Sequence, residues 1–337
     1  MHLAIIGAGL AGLSAARALS ASHRVTLIEK AENPAGRMAT HETEFGGFDD
    51  GVQFFSASSE EFKREITQWK KEAWIDAWQA RIVRLVNGRA LTPARSAVRY
   101  VARPGMGALC ANLAQGLPLA TAQTVTGLQT WGNAKWLLAV QADTVAIPAH
   151  AGPFDAVILA MPPEQAAPLL HDVAPQLAAQ AASVHLAPCF TLELAFAQAL
   201  DLGYDGAFIE QSRLAFIAHD NSKPGHRPGE RWVAHAALAW SQEHLQDDLP
   251  RVRDKLLKAF HEATGSQVQP VYAQALRWPF AQAVQPMAGD CLWDANLRIG
   301  LCGDWFAAGL EGEGRVENAW LSGRRLAQQI MQSMPQD

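Results

Sequence analysis

Cysteine is scarce in this chain: four in 337 residues. Cys110, Cys189, Cys291 and Cys302 lie far apart and form no C-x-x-C. That argues against a disulfide framework or a zinc site, and it fits a reducing cytoplasm. A charge excess of one sign is also missing. Lys and Arg number 28 against 33 Asp and Glu, a formal net charge of -5. No strong basic field is there to hold nucleic acid. The histidines include no pair four residues apart and no H-E-x-x-H, so no metal site is expected. No uninterrupted apolar run reaches membrane-spanning length. Residues 1–19 are apolar but lack a basic leading segment, and their glycines have a functional spacing, so they read as part of the fold rather than a signal peptide.

Hydrophobic residues make up 49% and charged residues 18%, a globular balance, and 337 residues suit two joined domains. Residues 3–6 read as a buried strand, 10–20 as an Ala- and Leu-rich helix and 24–29 as a second strand. That is a β-α-β unit, the building block of a parallel sheet. Further on, 60–78 reads as a helix and 82–91 as a hairpin around Asn87-Gly88. Residues 106–117 read as a helix, 120–141 as strands with a turn near Gly132-Asn133, and 156–160 as a buried strand. From about 165 to 285, helices (163–182, 248–264) alternate with strands (189–196, 231–239) around a Pro/Gly-rich loop at 220–229. A strand at 297–302, a Gly-rich segment and a helix at 316–331 then return to the opening pattern.

Gly7-x-Gly9-x-x-Gly12 follows a strand and opens a helix. Gly7 permits the tight turn, Gly9 lets backbone approach a pyrophosphate, and Gly12 lets helix and strand pack closely. The helix start offers unpaired N–H groups and a positive dipole end to phosphates. Glu29 ends the second strand, where an acid accepts the adenosine ribose hydroxyls. Together these features predict dinucleotide binding. In Gly36-Arg37-Met38 the arginine is placed to reach the pyrophosphate. Cys302-Gly303-Asp304 ends a strand before a helix, where Asp304 suits a ribityl hydroxyl and the helix start suits the anion of a reduced flavin. Cys302 itself reads as a small core residue.

These residues resemble the flavin-containing amine oxidase superfamily, together with 48–55 (Phe-Asp-Asp-Gly-Val-Gln-Phe-Phe) and 314–319 (Gly-Arg-Val-Glu-Asn-Ala). Within it the chain looks most like the bacterial renalases, on Pro104-Gly105-Met106, residues 221–225, Arg277-Trp278 and residues 317–323. Two departures are Ala35, where a glycine is common, and a long 309–314 stretch. The resemblance implies an α/β fold like p-hydroxybenzoate hydroxylase: a Rossmann-type FAD-binding domain with a mixed-sheet substrate domain. The FAD-binding domain would comprise 1–60, 104–165 and 288–337, and the substrate domain 61–103 and 166–287. The resemblance implies non-covalent FAD, contacted also by Ala11, Lys30, Gln53, Phe54, Val125, Arg315, Val316 and Ala319. It places Lys223, Arg277 and Trp278 at the substrate as catalytic candidates.

It also implies oxidation of dihydro-NAD(P) isomers carrying hydride at ring position 2 or 6, with dioxygen reoxidising the flavin to give hydrogen peroxide. A dihydronicotinamide releases hydride without prior deprotonation, so no general base is needed. Two other readings stand: an amine oxidase acting on a small amine, and an FAD-binding redox protein without turnover. The cations Lys223, His226, Arg227 and Arg231 read either as a solvated loop or as an anion-binding lip over a substrate cavity. Trp232, Trp240, Trp278, Phe280 and Trp305 read mostly as core, or else as the lining of a flat cavity.

Overall fold

The computed structural model describes residues 1–86, 88–91, 97–132, 134–142, 149–309 and 316–333. The chain divides into two compact units: Met1–Gly36 with Cys110–Leu186 and Gln282–Asp337, and Arg37–Leu109 with Ala187–Ala281.

The first unit is built on a six-stranded sheet in the order Leu292–Asp294, Ile299–Leu301, Ala156–Leu159, His2–Ile6, Arg24–Ile28, Leu119–Ala120. All neighbours are parallel except the first pair. The central strands are continuous apolar runs because helices cover such a sheet on both faces. Ala156–Leu159 is wholly buried, and so are Leu3, Ala4 and Ile5. The helix Leu10–Leu19 packs on the long helix Val316–Ser333. Gly323 makes that approach possible, since a Cβ there would lie 2.2 Å from the Ala11 carbonyl oxygen. Ser14 Oγ then donates to the Trp320 carbonyl at 2.8 Å. A three-stranded antiparallel sheet, Gln123–Trp131, Lys135–Ala142 and Ala149–Phe154, completes this unit; Asn133, expected at its first turn, lies outside the described residues.

The second unit carries a seven-stranded mixed sheet ordered Tyr272–Ala283, Leu186–Ala195, Arg231–Ala236, Leu214–His219, Gly206–Ile209, Ile82–Val86, Arg89–Leu91. Gly206–Ile209 runs parallel to Ile82–Val86. The hairpin Ile82–Val86 with Arg89–Leu91 is present, and Asn87 of its turn lies outside the described residues. Phe190, Leu192, Leu194, Trp232, Ala234, Val252, Leu256 and Phe260 form the core beneath this sheet. Its helix Leu249–Thr264 starts where Asp248 accepts the Arg251 N–H at 3.0 Å, and it ends at Gly265 with φ +74°.

Three expectations need revision. The helix expected to reach residue 78 stops at Lys71. Ala73 turns to φ +56°, and Ile75–Ala77 leaves as a strand against Tyr100–Ala102. The helix expected over 163–182 is two, because the first ends at Leu170 and Pro175 opens a new one after Ala174 leaves helical backbone. The unit boundaries fall at 36/37 and 109/110 rather than at 60 and 104. Residues 37–60 and 104–109 group with the second unit because Asp49 binds Met106 and Lys223 there, and the Asp50 carbonyl accepts from Thr191 Oγ1.

Candidate functional sites: a nucleotide cradle and a buried charge cluster

In the first unit the glycines are forced by space. Gly7 has φ +104°, and a Cβ on it would lie 2.4 Å from the Ala160 carbonyl oxygen. A Cβ on Gly12 would lie 2.0 Å from the Gly7 carbonyl oxygen. Gly9 caps the helix Leu10–Leu19 with no side chain over its first N–H groups. Glu29 is buried, and its carboxylate accepts the Ala8 N–H at 2.7 Å and the Ala31 N–H at 2.9 Å. Each oxygen keeps a further lone pair for a diol. Gly36, at φ +57°, brings its backbone against Gly9. Lys30 is exposed beside Glu29. The Gln123 N–H reaches the Glu29 carbonyl at 2.9 Å, at the start of the strand that carries buried Val125.

Two strands across, at the same carboxyl-terminal edge of the sheet, the Gly303 N–H donates to Ser322 Oγ at 3.0 Å. A Cβ on Gly303 would strike the Trp305 ring at 2.5 Å. Asp304 follows, half-buried, and Val316 and Ala319 are half-buried at the start of the long helix. Asn318 is fully buried; its Nδ2 donates to the Phe306 and Ala307 carbonyls at 3.0 and 3.1 Å, while its Oδ1 has no partner among the described residues. Arg315 lies outside the described residues. A glycine-lined turn, a helix start free of side chains, a buried acid with open lone pairs and an orphaned acceptor are what a dinucleotide needs. FAD fits Gly7, Gly9, Ala11, Gly12, Glu29, Gly36, Val125, Gly303 and Asp304.

The second unit holds Arg37, Met38, Gln53, Phe54, Lys223, Arg277 and Trp278. Its buried feature is a charge cluster. The ammonium of Lys223 donates to Asp49 Oδ2 at 2.9 Å, Asp220 Oδ1 at 2.6 Å and Gln53 Oε1 at 3.1 Å. Both members of each ion pair are fully buried. His226 lies between the same acids, Nε2 3.2 Å from Asp49 Oδ2 and Nδ1 3.2 Å from Asp220 Oδ2. Asp49 also accepts the Met106 N–H at 2.8 Å and the Thr40 hydroxyl at 2.8 Å. Gln53 Nε2 donates to the Asp49 carbonyl.

Burial alone would raise the Asp49 pKa, but the Lys223 charge and the His226 contact hold it well below the usual carboxylate range. Burial would lower the Lys223 and His226 values. The paired carboxylates reverse that, raising Lys223 and lifting His226 to about 9. Asp49, Asp220 and His226 have the spacing of a cation site, and the Lys223 ammonium supplies the positive charge there.

The anion-binding lip is corrected by this arrangement. All three Lys223 N–H donors are committed to Asp49, Asp220 and Gln53. Arg231 is buried and donates to the carbonyls of Gly47, Phe45, Pro228 and Arg227. Of that basic run only Arg227 stays exposed. Arg277, also exposed, donates to the Asp247 carbonyl at 2.5 Å and sits over the Phe190 ring. Trp278 is half-buried with its Nε1 buried and unpartnered. Arg37 donates to the Ala281 carbonyl at 3.0 Å, and Met38 is buried.

Four residues escaped the sequence reading. Asp50 is buried with Oδ1 unpartnered, and burial followed by the nearby Glu193 raises its pKa to about 7. Glu193, itself fully buried, takes His41 Nδ1 at 3.0 Å and the Tyr272 hydroxyl at 3.0 Å. The only available signal was the acid pair inside residues 48–55.

Residues 5–68 match the NAD(P)-binding Rossmann-like domain, and residues 77–331 match the flavin containing amine oxidoreductases. The chain belongs to the flavin-containing amine oxidoreductase family. Its cofactor is FAD, and its fold is the α/β pairing of a Rossmann-type domain with an amine oxidase domain. Three solved structures share the fold at 13% identity each. One is a chain from Exiguobacterium sp. 255-15 provisionally named protoporphyrinogen oxidase (TM-score 0.75, 99% of both chains covered). Another is putrescine oxidase bound to putrescine (0.72, 98% of this chain and 99% of that one). The third is cyclohexylamine oxidase from Brevibacterium oxydans IH-35A (0.71, 98% of both). A 41-residue stretch is 54% identical to L-amino-acid oxidase of Daboia russelii, covering 12% of this chain and 8% of that one. Among the described residues, no helix is long and apolar enough to cross a membrane.

Proposed function

We propose that this family member oxidises dihydronicotinamide dinucleotides with hydride at ring position 2 or 6, in the manner of the bacterial renalases, and passes the electrons to dioxygen. One observation carries the reading. Two of the stretches behind the closer resemblance, 104–106 and 221–225, meet at Asp49 of the superfamily stretch 48–55. The Asp49 carboxylate takes the Met106 N–H and the Lys223 ammonium, and its backbone carbonyl takes the Gln53 amide. Segments up to 174 residues apart therefore act as one device, which holds Gln53-Phe54 in place.

When bound, FAD supplies the hydride acceptor. Glu29 would hold its ribose and Gly7 to Gly12 its pyrophosphate, without a covalent link. Lys223 acts as the counter-ion of Asp49 rather than as a substrate contact, and Trp278 offers a buried N–H to a ligand acceptor.

A second reading is oxidation of a small amine. It is favoured by Asp50, whose unpartnered buried oxygen beside Glu193 suits an ammonium. Anaerobic stopped-flow flavin reduction separates the two. The dihydro isomers should bleach the flavin rapidly, and ordinary NAD(P)H and a panel of amines should not. An offset of about 1 Å at the hydride costs on the order of a hundredfold in rate. Fast bleaching by an amine, with none from the isomers, overturns the proposal in favour of the amine.

A further inference from the structure

We propose that Arg99 is the residue that binds an oxyanion of the substrate, so that this enzyme takes an anionic substrate rather than a cationic one. The ligand's identity as a dinucleotide rests on the function proposed above; the anion site itself does not.

Arg99 is half-buried and stands over the Phe54 ring, its guanidinium carbon 5.2 Å from the centroid. Among the described residues it makes no ion pair and no side-chain hydrogen bond. That sets it apart from Arg231 and Arg37, whose guanidinium groups are tied to backbone carbonyls. A guanidinium carries five N–H donors in a planar fork that matches carboxylate and phosphate. Partial burial disfavours its charge, and the Arg99 pKa is lowered by that burial. A π face returns only part of what hydration gave. The group is thus a partly desolvated cation with its donors open.

The backbone around it is fixed. The Trp78 N–H donates to the Arg99 carbonyl at 2.8 Å, and Phe55 and Tyr100 exchange N–H to O bonds at 2.9 and 2.7 Å. Phe54 is wedged against Trp78 and Phe216, with ring centroids 6.0 and 5.7 Å away. The Trp78 indole N–H donates to Ser222 Oγ at 3.0 Å. Gln53, next to Phe54, is held by Lys223. Arg99 therefore rests on the segment that the Asp49 cluster locks. It supplies a partly buried positive charge, which the 223–231 loop does not: Lys223 and Arg231 are spent there, and Arg227 is exposed. A cation at this place repels an ammonium and attracts a phosphate or a carboxylate.

The test uses the FAD-loaded protein and calorimetric titration with NAD+ and with nicotinamide riboside, which has the ring but no phosphate. Arg99→Gln should weaken NAD+ binding about tenfold or more, the worth of one charge-assisted hydrogen bond. It should leave nicotinamide riboside binding and the flavin spectrum as they were, and Arg99→Lys should recover part of the loss. An unchanged NAD+ affinity, an equal loss for both ligands, or a loss on Arg227→Gln in place of Arg99→Gln would overturn the proposal. A second arm separates the sources of the anion. If the dihydro isomers fail to reduce the flavin but an L-amino acid succeeds, the dinucleotide reading falls. The Arg99 assignment then stands if Arg99→Gln raises KM for the amino acid and not for the matching decarboxylated amine, and falls if both rise together.

Discussion

Replacing Lys223 with Met decides whether this lysine holds the fold or meets substrate. The change keeps most of the side-chain length and removes the charge between Asp49 and Asp220, which accept its protons at 2.9 and 2.6 Å in full burial. Removing one partner of a buried ion pair costs about 3–5 kcal/mol, because the remaining charge is left without compensation. The second unit has about 170 residues. At roughly 2–4 °C per kcal/mol for that size, its Tm should fall by about 6–20 °C. The pH dependence adds a sign. In the parent, the depressed Asp49 pKa gives a stabilising contribution that is present above about pH 4 and lost as pH falls further. His226, raised to about 9, contributes fully below about pH 6.5 and loses that contribution as pH rises through about 9. In the variant, two buried carboxylates share His226 as their one remaining cation, so one of them holds its proton to higher pH than in the unfolded chain. The variant is therefore penalised more as pH rises, and its deficit should be smaller at pH 5 than at pH 8. The assay is differential scanning calorimetry of parent and variant at both pH values. A Tm within about 2 °C of the parent, or the same deficit at both pH values, refutes the structural role. A raised KM with parental Tm would restore Lys223 to the substrate.

Glu29→Lys strips the acceptor from the Ala8 and Ala31 N–H groups and opposes the ribose diol. FAD affinity should fall about tenfold or more per hydrogen bond lost, read as free flavin after ultrafiltration; full retention would move the ribose elsewhere. Gly12→Ala places a methyl 2.0 Å from the Gly7 carbonyl oxygen, so strand and helix must part; the protein should purify colourless with a lowered Tm, and a yellow protein with parental Tm contradicts that packing.

The nucleotide cradle was legible because its constraints are local. Gly7, Gly9, Gly12 and Glu29 lie within one β-α-β unit, where spacing alone sets the turn, the helix start and the acid. Burial of Trp232 and Trp305 and of Cys302 was legible from the apolar strands around them. The charge cluster was not. Lys223 and Asp49 are 174 residues apart, and a lysine in a Pro/Gly-rich loop looks solvated until its partners arrive by tertiary folding. Arg231 was misread for the same reason: its acceptors are backbone carbonyls, which every residue has and no sequence pattern advertises. Arg99 belongs to no motif; what singles it out is a half-buried guanidinium over the Phe54 ring with no polar partner among the described residues.

The first unit draws its central sheet from both ends of the chain. His2–Ile6 sits two strands from Ile299–Leu301, and Leu10–Leu19 is covered by Val316–Ser333. On the ribosome this has a consequence in time. At about 5–20 residues per second, the opening β-α-β unit waits some 15–60 s for the strand and helix that cover it. The second unit has all its strands once residue 283 has emerged. The order of synthesis thus has the second unit closing first. The first unit closes only when the last helix arrives, so a nascent chain halted before residue 299 should not retain flavin.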